Sequence, residues 1–457
     1  MNIAIVGGGW AGLSAAVTAV RLGHEVRLFE SAAVLGGRAR SVHVPALDAD
    51  IDNGQHILLG AYTATLDLMR DLGLDPASRF TRLPLCMRSA DGTLRMRALP
   101  GLPAPLHIAA GLLAARGLAW KEKRAALRAM MLLRRNGWNT PRGATVREWL
   151  SLALQPPRLQ RMLWTPLCIA TLNTPVERAC AQLFAHVLRD SVGASGRGAS
   201  DMLIPRTTLS ELWPARVEEL ALNIHPSTTV RRLRHADAGS CGRKAADAEA
   251  AGPGAGTRRL ALDERPETYD AVLLCGNAPS TARLLATLPP RPDGDAFLDD
   301  LLAFEYAPIA TLTLELERPW TLPASMLLLD EYRERGHYGQ WLFQGQDAER
   351  RLLHVVVSDA DALLRRERSA AVEGMIGQLR EQLPAGAMPA VLRHALIVEK
   401  RATFLAVPGL RRPGNQTPWP GVWVAGDWTD TGYPAVLEGA VRSGRDAALA
   451  MHASARP

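Results

Sequence analysis

A run of glycines between a short apolar strand and a helix constrains this chain more than any other feature. Ile3 to Val6 is an apolar segment of strand length. Gly7-Gly8-Gly9-Trp10-Ala11-Gly12 follows it, and Ala11 to Leu22 then reads as a helix stopped by Gly23. Val26 to Phe29 is a second buried strand, and it ends on Glu30, 18 residues after Gly12. This is a βαβ unit with G-x-G-x-x-G in the place that receives a dinucleotide. Gly7 makes the tight turn, Gly9 leaves room for a pyrophosphate to reach the backbone, and Gly12 lets the helix pack close to the strand. With Gly8, Trp10 and Ala11 these residues form the candidate phosphate cradle, facing the unpaired N–H groups of the helix start. Glu30 is placed to accept hydrogen bonds from ribose hydroxyls and would repel a 2′-phosphate. The rival reading is a glycine-rich turn in an unrelated βαβ unit.

Three further strings bear on the cofactor. Leu35-Gly36-Gly37-Arg38 can bring backbone and a guanidinium toward a second set of cofactor atoms. Asp52-Asn53-Gly54-Gln55-His56 comes next. Near the C-terminus the apolar strand Val422 to Ala425 runs into Gly426-Asp427, followed by Tyr433-Pro434-Ala435-Val436. Pro434 suits the first turn of a helix, whose positive end would face an electron-rich group.

Together these strings resemble the flavin amine oxidase and phytoene desaturase superfamily over the whole chain. The Asp52 to Gly60 and Gly426 to Thr429 strings are most similar to its squalene-associated, FAD-dependent branch. The resemblance implies FAD, with the adenosine ribose on Glu30 and the pyrophosphate on Gly7 to Gly12 and Arg38. It implies Val230 at the adenine through its backbone, and Gly426 and Asp427 near the ribityl-pyrophosphate. Pro434, Ala435 and Val436 are implied at the pyrimidine edge of the flavin ring, with Gly37, Gly54, Gln55 and His56 also close to the cofactor. Some relatives attach FAD through a Cys near the C-terminal motif. No Cys follows Cys275 here, so FAD is expected to be non-covalent.

The implied reaction is reductive removal of the hydroxyl from hydroxysqualene, a C30 isoprenoid alcohol, to give squalene. It needs an acid for the departing hydroxide, a dry apolar pocket and an electron donor that the sequence does not identify. His56 is the leading acid, with Gln55 as a polar positioner; the alternative is that His56 only bonds backbone or cofactor. Asp52 is read as a turn cap, Asp427 as a cofactor ligand, and Tyr433 as a pocket or packing residue. Two rivals stand beside this reading. One is a carotenoid- or phytoene-type desaturase, which runs flavin chemistry in the oxidative direction. The other is an escort protein that binds prenylated partners without catalysis.

At 457 residues the chain has room for two or three domains, and 47% hydrophobic against 22% charged residues is ordinary for a folded protein. The fold class is α/β. A discontinuous Rossmann-like FAD domain is expected from residues 1–75, 200–290 and 395–457. A substrate domain of antiparallel sheet plus helices is expected from 76–199 and 291–394. Residues 60 to 75 and helices up to about Leu188 are read as helical, with Thr145 and Glu148 forming a capping box. Thr228 to Leu233 is read as a strand, Thr311 to Leu316 and Leu352 to Val357 as half-buried strands, and His235 to Glu267 as a surface loop or hairpin tip.

The five cysteines form no CxxC pair, so no metal site or disulfide framework is expected. Lys and Arg total 53 against 46 Asp and Glu, for a net charge of +7. These cations are spread rather than blocked as in a nucleic-acid arm, so the excess reads either as an arginine-biased composition or as attraction to phosphates or an anionic membrane surface, and no nucleic-acid partner is expected. Residues 102–135, apolar with a basic flank, read either as an interfacial helix for peripheral membrane contact or as an ordinary amphipathic cap. No signal peptide is apparent and no stretch has 18 uninterrupted apolar residues, so a cytoplasmic protein is expected, on the inner face of the membrane if that helix docks.

Overall fold

The computed structural model describes residues 1–99, 101–102, 105–193, 196, 198–220, 222–236, 259–345, 349–384, 386 and 388–455. Its first layer is a five-stranded parallel sheet. In spatial order the strands are Asn223–His225, Glu25–Phe29, Asn2–Val6, Ala271–Leu274 and Val422–Val424. Ile3 registers with Val26 on one side and Ala271 on the other, and Val272 registers with Val422. Ala271–Leu274 is buried along its whole length, as expected of a parallel strand covered on both faces. The helix Trp10–Arg21 lies against the long C-terminal helix Leu437–Ser454. A Cβ on Gly444 would stand 2.0 Å from the Ala11 carbonyl oxygen, so the two backbones touch. Ser14 Oγ donates to the Val441 carbonyl at 2.8 Å and fixes the crossing.

The second sheet is antiparallel, in the order Met326–Leu328, Trp341–Gln344, Leu352–Ser358, Tyr306–Leu316 and Val391–Phe404. The helix Arg368–Gln382 packs Ala371, Val372, Met375 and Leu379 onto one face of it. The other face presents Met326, Trp341, Phe343 and Val356 to the interior between the sheets. Opposite stands a helical layer: Leu106–Leu113, Trp120–Arg135, Val146–Leu152, Thr165–Leu172 and Ala181–Ser191. One π-helical turn, Gln160–Trp164, interrupts it and brings Leu163 and Trp164 to the interior.

Several local readings hold. The first strand, first helix and second strand lie as expected, and Thr145 and Glu148 form the capping box. Others are corrected. Thr228 to Arg232 is not a strand; the edge strand of the parallel sheet is Asn223–His225, and Leu233–His235 belongs to a small antiparallel sheet. Between them the chain crosses irregularly, with Thr228 N–H on the Glu30 carbonyl and the Arg231 and Arg232 N–H groups both on Asp263 Oδ1. A side chain thus takes the bonds a ladder would have used.

Thr311–Leu316 and Leu352–Val357 are buried on both faces rather than one, because a helix covers the far side of their sheet. The last helix starts at Leu437, with Val436 as its N-cap, so Pro434 precedes it rather than opening it. Of the loop expected over His235 to Glu267, Leu260–Leu262 is a strand and residues 237–258 lie outside the described residues.

Candidate active site: a glycine-lined cleft joined to an apolar chamber

A single cavity of about 1360 Å³ runs from the first βα turn into the space between the antiparallel sheet and the helices. That exceeds the roughly 300–1,000 Å³ of an ordinary small-ligand pocket, leaving room for a cofactor and a second molecule. Gly7, Gly9, Trp10, Ala11, Glu30, Gly37, Arg38, Gly54, Gln55, His56, Val230, Gly426, Asp427, Pro434, Ala435 and Val436 all border it. These sixteen residues come from five separate stretches of sequence: 7–11, 30–38, 54–56, 230 and 426–436. Gly8 and Gly12 do not border it, and they do other work.

The glycines divide into two kinds. Gly7 has φ +113°, and a Cβ on it would lie 2.9 Å from the Cys275 backbone. A Cβ on Gly12 would stand 1.9 Å from the Gly7 carbonyl oxygen. Both are demanded by the protein itself. Gly9 differs: an added Cβ would meet only Gly37 Cα, at 3.8 Å, and would otherwise project into the cavity. What requires Gly9 to be bare is therefore whatever fills the cavity. This is the fit expected for a cofactor whose phosphates lie on the backbone.

Glu30 does two things. Its Oε2 accepts from Gly8 N–H at 2.6 Å, and its Oε1 accepts from Ala32 N–H at 2.7 Å and from Ser31 Oγ at 3.0 Å. The carboxylate thus braces the glycine turn, and Oε2, with one bond of the two it can accept, keeps capacity for a ribose hydroxyl. Val230 faces the same end, and its N–H and C=O bond to no other described residue.

Arg38 spans the cleft. Its Nη1 donates to the Ala402 carbonyl and its Nη2 to Asp427 Oδ1, each at 2.7 Å. Two of the five guanidinium hydrogens are used, and three remain for an anion. Arg412, absent from the sequence reading, organises the other wall. It donates to the carbonyls of Asp427 at 3.0 Å, Trp428 at 3.2 Å, Tyr433 at 2.6 Å, and also Thr429. Nothing short of coordinates separates it from the chain's other arginines. The Gly426 N–H is held by Ser443 Oγ at 2.9 Å, and Asn415 ties the same serine at 3.1 Å.

The C-terminal helix opens toward the cavity without a side-chain cap of its own. Its first acid, Glu438, turns away and is fully buried. It accepts from Ala64 N–H, Thr65 N–H and Thr65 Oγ1, capping the helix Thr63–Asp71 instead. The helix start thus keeps its positive end for the cavity.

At the junction of cleft and chamber lie His56, Gln55, Tyr62, Tyr433 and Asp190. His56 Nδ1 lies 2.8 Å from the Gly54 carbonyl, which can only accept, so Nδ1 carries the hydrogen and Nε2 is left as an acceptor. Burial, then the nearby Arg38 charge, holds its pKa below the usual histidine value. Gln55 bonds to no other described residue, so its amide is available to a ligand. Tyr433 is pushed up to about 12 by burial, with the nearby Asp190 charge adding to the shift. Arg189 holds Asp190 at 2.6 Å. Asp52 does not border the cavity; it accepts from Leu209 N–H at 2.8 Å at the start of a short helix. Beyond the junction the lining is apolar: Met87, Met96, Leu112, Met130, Leu167, Trp341 and their neighbours. Among the described residues no cluster of side chains suits a metal ion.

A dinucleotide fold with a cleft of this shape, joined to an apolar chamber, is the frame of a flavoprotein oxidoreductase. The chain belongs to the flavin containing amine oxidoreductase family, whose model it matches over residues 10–452. Hydroxysqualene dehydroxylase of Rhodopseudomonas palustris is 29% identical, with 100% of this chain and 99% of the relative covered. The protein of the same name from Zymomonas mobilis is 26% identical, with 97% of each covered. A zeta-carotene desaturase of Synechocystis is 25% identical over 99% of this chain and 98% of its own. Cyclohexylamine oxidase of Brevibacterium oxydans shares the fold, with a TM-score of 0.68, 16% identity and 99% of each chain covered. The protein is an FAD-dependent oxidoreductase, and FAD is its cofactor.

Proposed function

We propose that this enzyme reductively removes the hydroxyl of hydroxysqualene, replacing C–OH by C–H to give squalene and water. The observation that carries the reading is the cavity, in which a cofactor-sized glycine cleft is continuous with a long chamber of Met, Leu, Ile and Trp side chains. Such a lining suits a polyprenyl chain. The relatives named hydroxysqualene dehydroxylase support the choice within that class.

FAD would rest on Gly7 to Gly12, Glu30, Gly37, Arg38 and Val230, with Gly426, Asp427 and Pro434 to Val436 at its other end; in reduced form it supplies hydride. The chain's own residues set the rest. The chamber excludes water, so the allylic carbon that loses hydroxide is not recaptured. Gln55 and His56 Nε2 hold the substrate hydroxyl at the junction. His56 is neutral at rest and can protonate the departing hydroxide only after gaining a proton itself. On that assignment kcat/KM rises as pH falls through the depressed His56 pKa, and His56→Gln removes the rise. A flat profile in the wild type would assign His56 to orientation alone.

The reading is tested by product analysis. Purified enzyme with hydroxysqualene and dithionite is expected to yield squalene. The same enzyme with phytoene and a quinone acceptor is expected to leave phytoene unchanged. Desaturated phytoene without any squalene would reverse the assignment.

A further inference from the structure

The net charge of this protein has an address. Residues 95–135 contain nine Lys and Arg and one acid, Glu122, for a segment charge of +8 against +7 for the whole chain. The remainder is close to neutral. Glu122 is buried, where it accepts from Ala119 N–H at 2.7 Å and from Arg158 at 2.7 Å, so it does not offset the exposed cations. Among the described residues Arg95, Arg97, Arg116, Lys121, Arg124, Arg128, Arg134 and Arg135 form no ion pair.

The same segment concentrates exposed apolar side chains. Seven of the fifteen large hydrophobic residues exposed among the described residues are Leu99, Leu102, Leu106, Leu113, Trp120, Met131 and Leu132. On the helix Trp120–Arg135, Trp120, Arg124, Arg128, Met131 and Arg135 recur at spacings of three and four, which puts them on one face. Trp120 is 61% exposed and Met131 55%. The opposite face buries Ala126, Ala129 and Leu133. The neighbouring elements join this surface. Arg95 and Arg116 bond backbone to backbone, and Gly111 sits against the Arg97 carbonyl, where a Cβ would come within 2.3 Å.

These elements are also a wall of the chamber. Met96, Ile108, Leu112, Ala126 and Met130 point inward to the cavity while their neighbours in sequence point outward. One thin layer therefore separates the apolar chamber from a basic, aromatic and aliphatic outer face.

We propose that this face docks on an anionic lipid bilayer, with Trp120, Met131, Leu106 and Leu113 entering the interface and the cations meeting lipid phosphates. Interleaved Leu, Met and Trp gain free energy at a headgroup boundary and gain nothing against a nucleic-acid backbone. Docking there places the chamber wall on the phase that dissolves a polyprenyl substrate. That last role rests on the reading of the chamber given above; the docking itself does not.

The test is flotation of the FAD-loaded protein with vesicles, read without substrate. Vesicles of phosphatidylglycerol and phosphatidylcholine are expected to carry the protein, and pure phosphatidylcholine far less. Replacing Lys121, Arg124 and Arg128 by Gln is expected to lower the partition coefficient on the order of a hundredfold. Trp120→Glu with Met131→Glu is expected to abolish it, with turnover of detergent-dispersed substrate and thermal midpoint unchanged in both variants. Wild-type protein that stays at the bottom of the gradient, variants that float as the wild type does, or charge-dependent binding to a DNA duplex without vesicle binding would each overturn the proposal.

Discussion

At the scale of single residues, the site separates groups that shape the protein from groups that shape its contents. Gly12 and Gly9 stand three residues apart in one motif and answer to different partners. Gly12→Ala drives a methyl into the Gly7 carbonyl, and a loss of about 3 kcal/mol is expected in chemical denaturation of the apoprotein. Gly9→Ala meets no protein atom closer than 3.8 Å, so the apoprotein should keep its stability while FAD binding weakens about tenfold or more. Equal stability losses in the two variants would refute the distinction. Arg412→Met strips four carbonyls of their donor around Asp427 to Tyr433. It should lower stability by roughly 3 kcal/mol and release FAD, as read by denaturation and by flavin fluorescence. The glycines and Glu30 were legible because their chemistry is local: a turn, a close approach, an acid at a strand end. Arg412 and Asp190 were not, because each acquires its meaning from carbonyls and hydroxyls far off in sequence.

At the scale of elements, the same division explains which strands and helices were readable. The first βαβ unit and the helix capped by Thr145 and Glu148 carry their signals within a dozen residues. The strand Tyr306–Leu316 looks half-buried, because Thr311 and Thr313 alternate with Leu and Ala; both threonines are buried nonetheless under a covering layer. The segment Thr228 to Arg232 has β-branched residues, yet Asp263 takes its N–H groups. Pro434 has a suitable place before a helix, but the first turn begins only at Leu437. In the first two cases a distant partner overrode a local preference.

Burial of the antiparallel sheet has a measurable cost in acid. His354, bonded to Thr313 at 2.9 Å, is held neutral, with burial depressing its pKa from 6.5 to about 4. Between those values the unfolded chain binds the proton and the folded one does not, so stability falls as pH drops through that window. The full loss is roughly 3 kcal/mol, and His354→Gln should flatten that part of the profile in urea melts. An unchanged slope would mean that other groups carry the acid sensitivity.

At the scale of the whole molecule, the chain folds so that its first turn, its Gly36-Gly37-Arg38 loop, its Gly54 to His56 string and its C-terminal motif meet around one cleft. Arg38 reaches Asp427, 389 residues further on, and ties the second of these to the last. The cofactor half of the cavity could be read from the sequence because its parts are motifs. The chamber was legible only in outline, as helices up to about Leu188 and the need for an apolar pocket, because its wall is assembled from single Met, Leu and Trp side chains of many elements, none distinctive alone. Charge differs: the basic flank of residues 102–135 was legible, and the structure adds Arg95 and Arg97 beside it through the Arg95–Arg116 backbone pair and the contact of Gly111 with the Arg97 carbonyl.

The most direct measurement is a single anaerobic turnover. Chemically reduced enzyme, mixed with hydroxysqualene and no other reductant, is expected to return to the oxidised flavin spectrum as it forms one squalene per flavin. Reduced flavin that persists in the presence of substrate, with no squalene formed, would contradict the account.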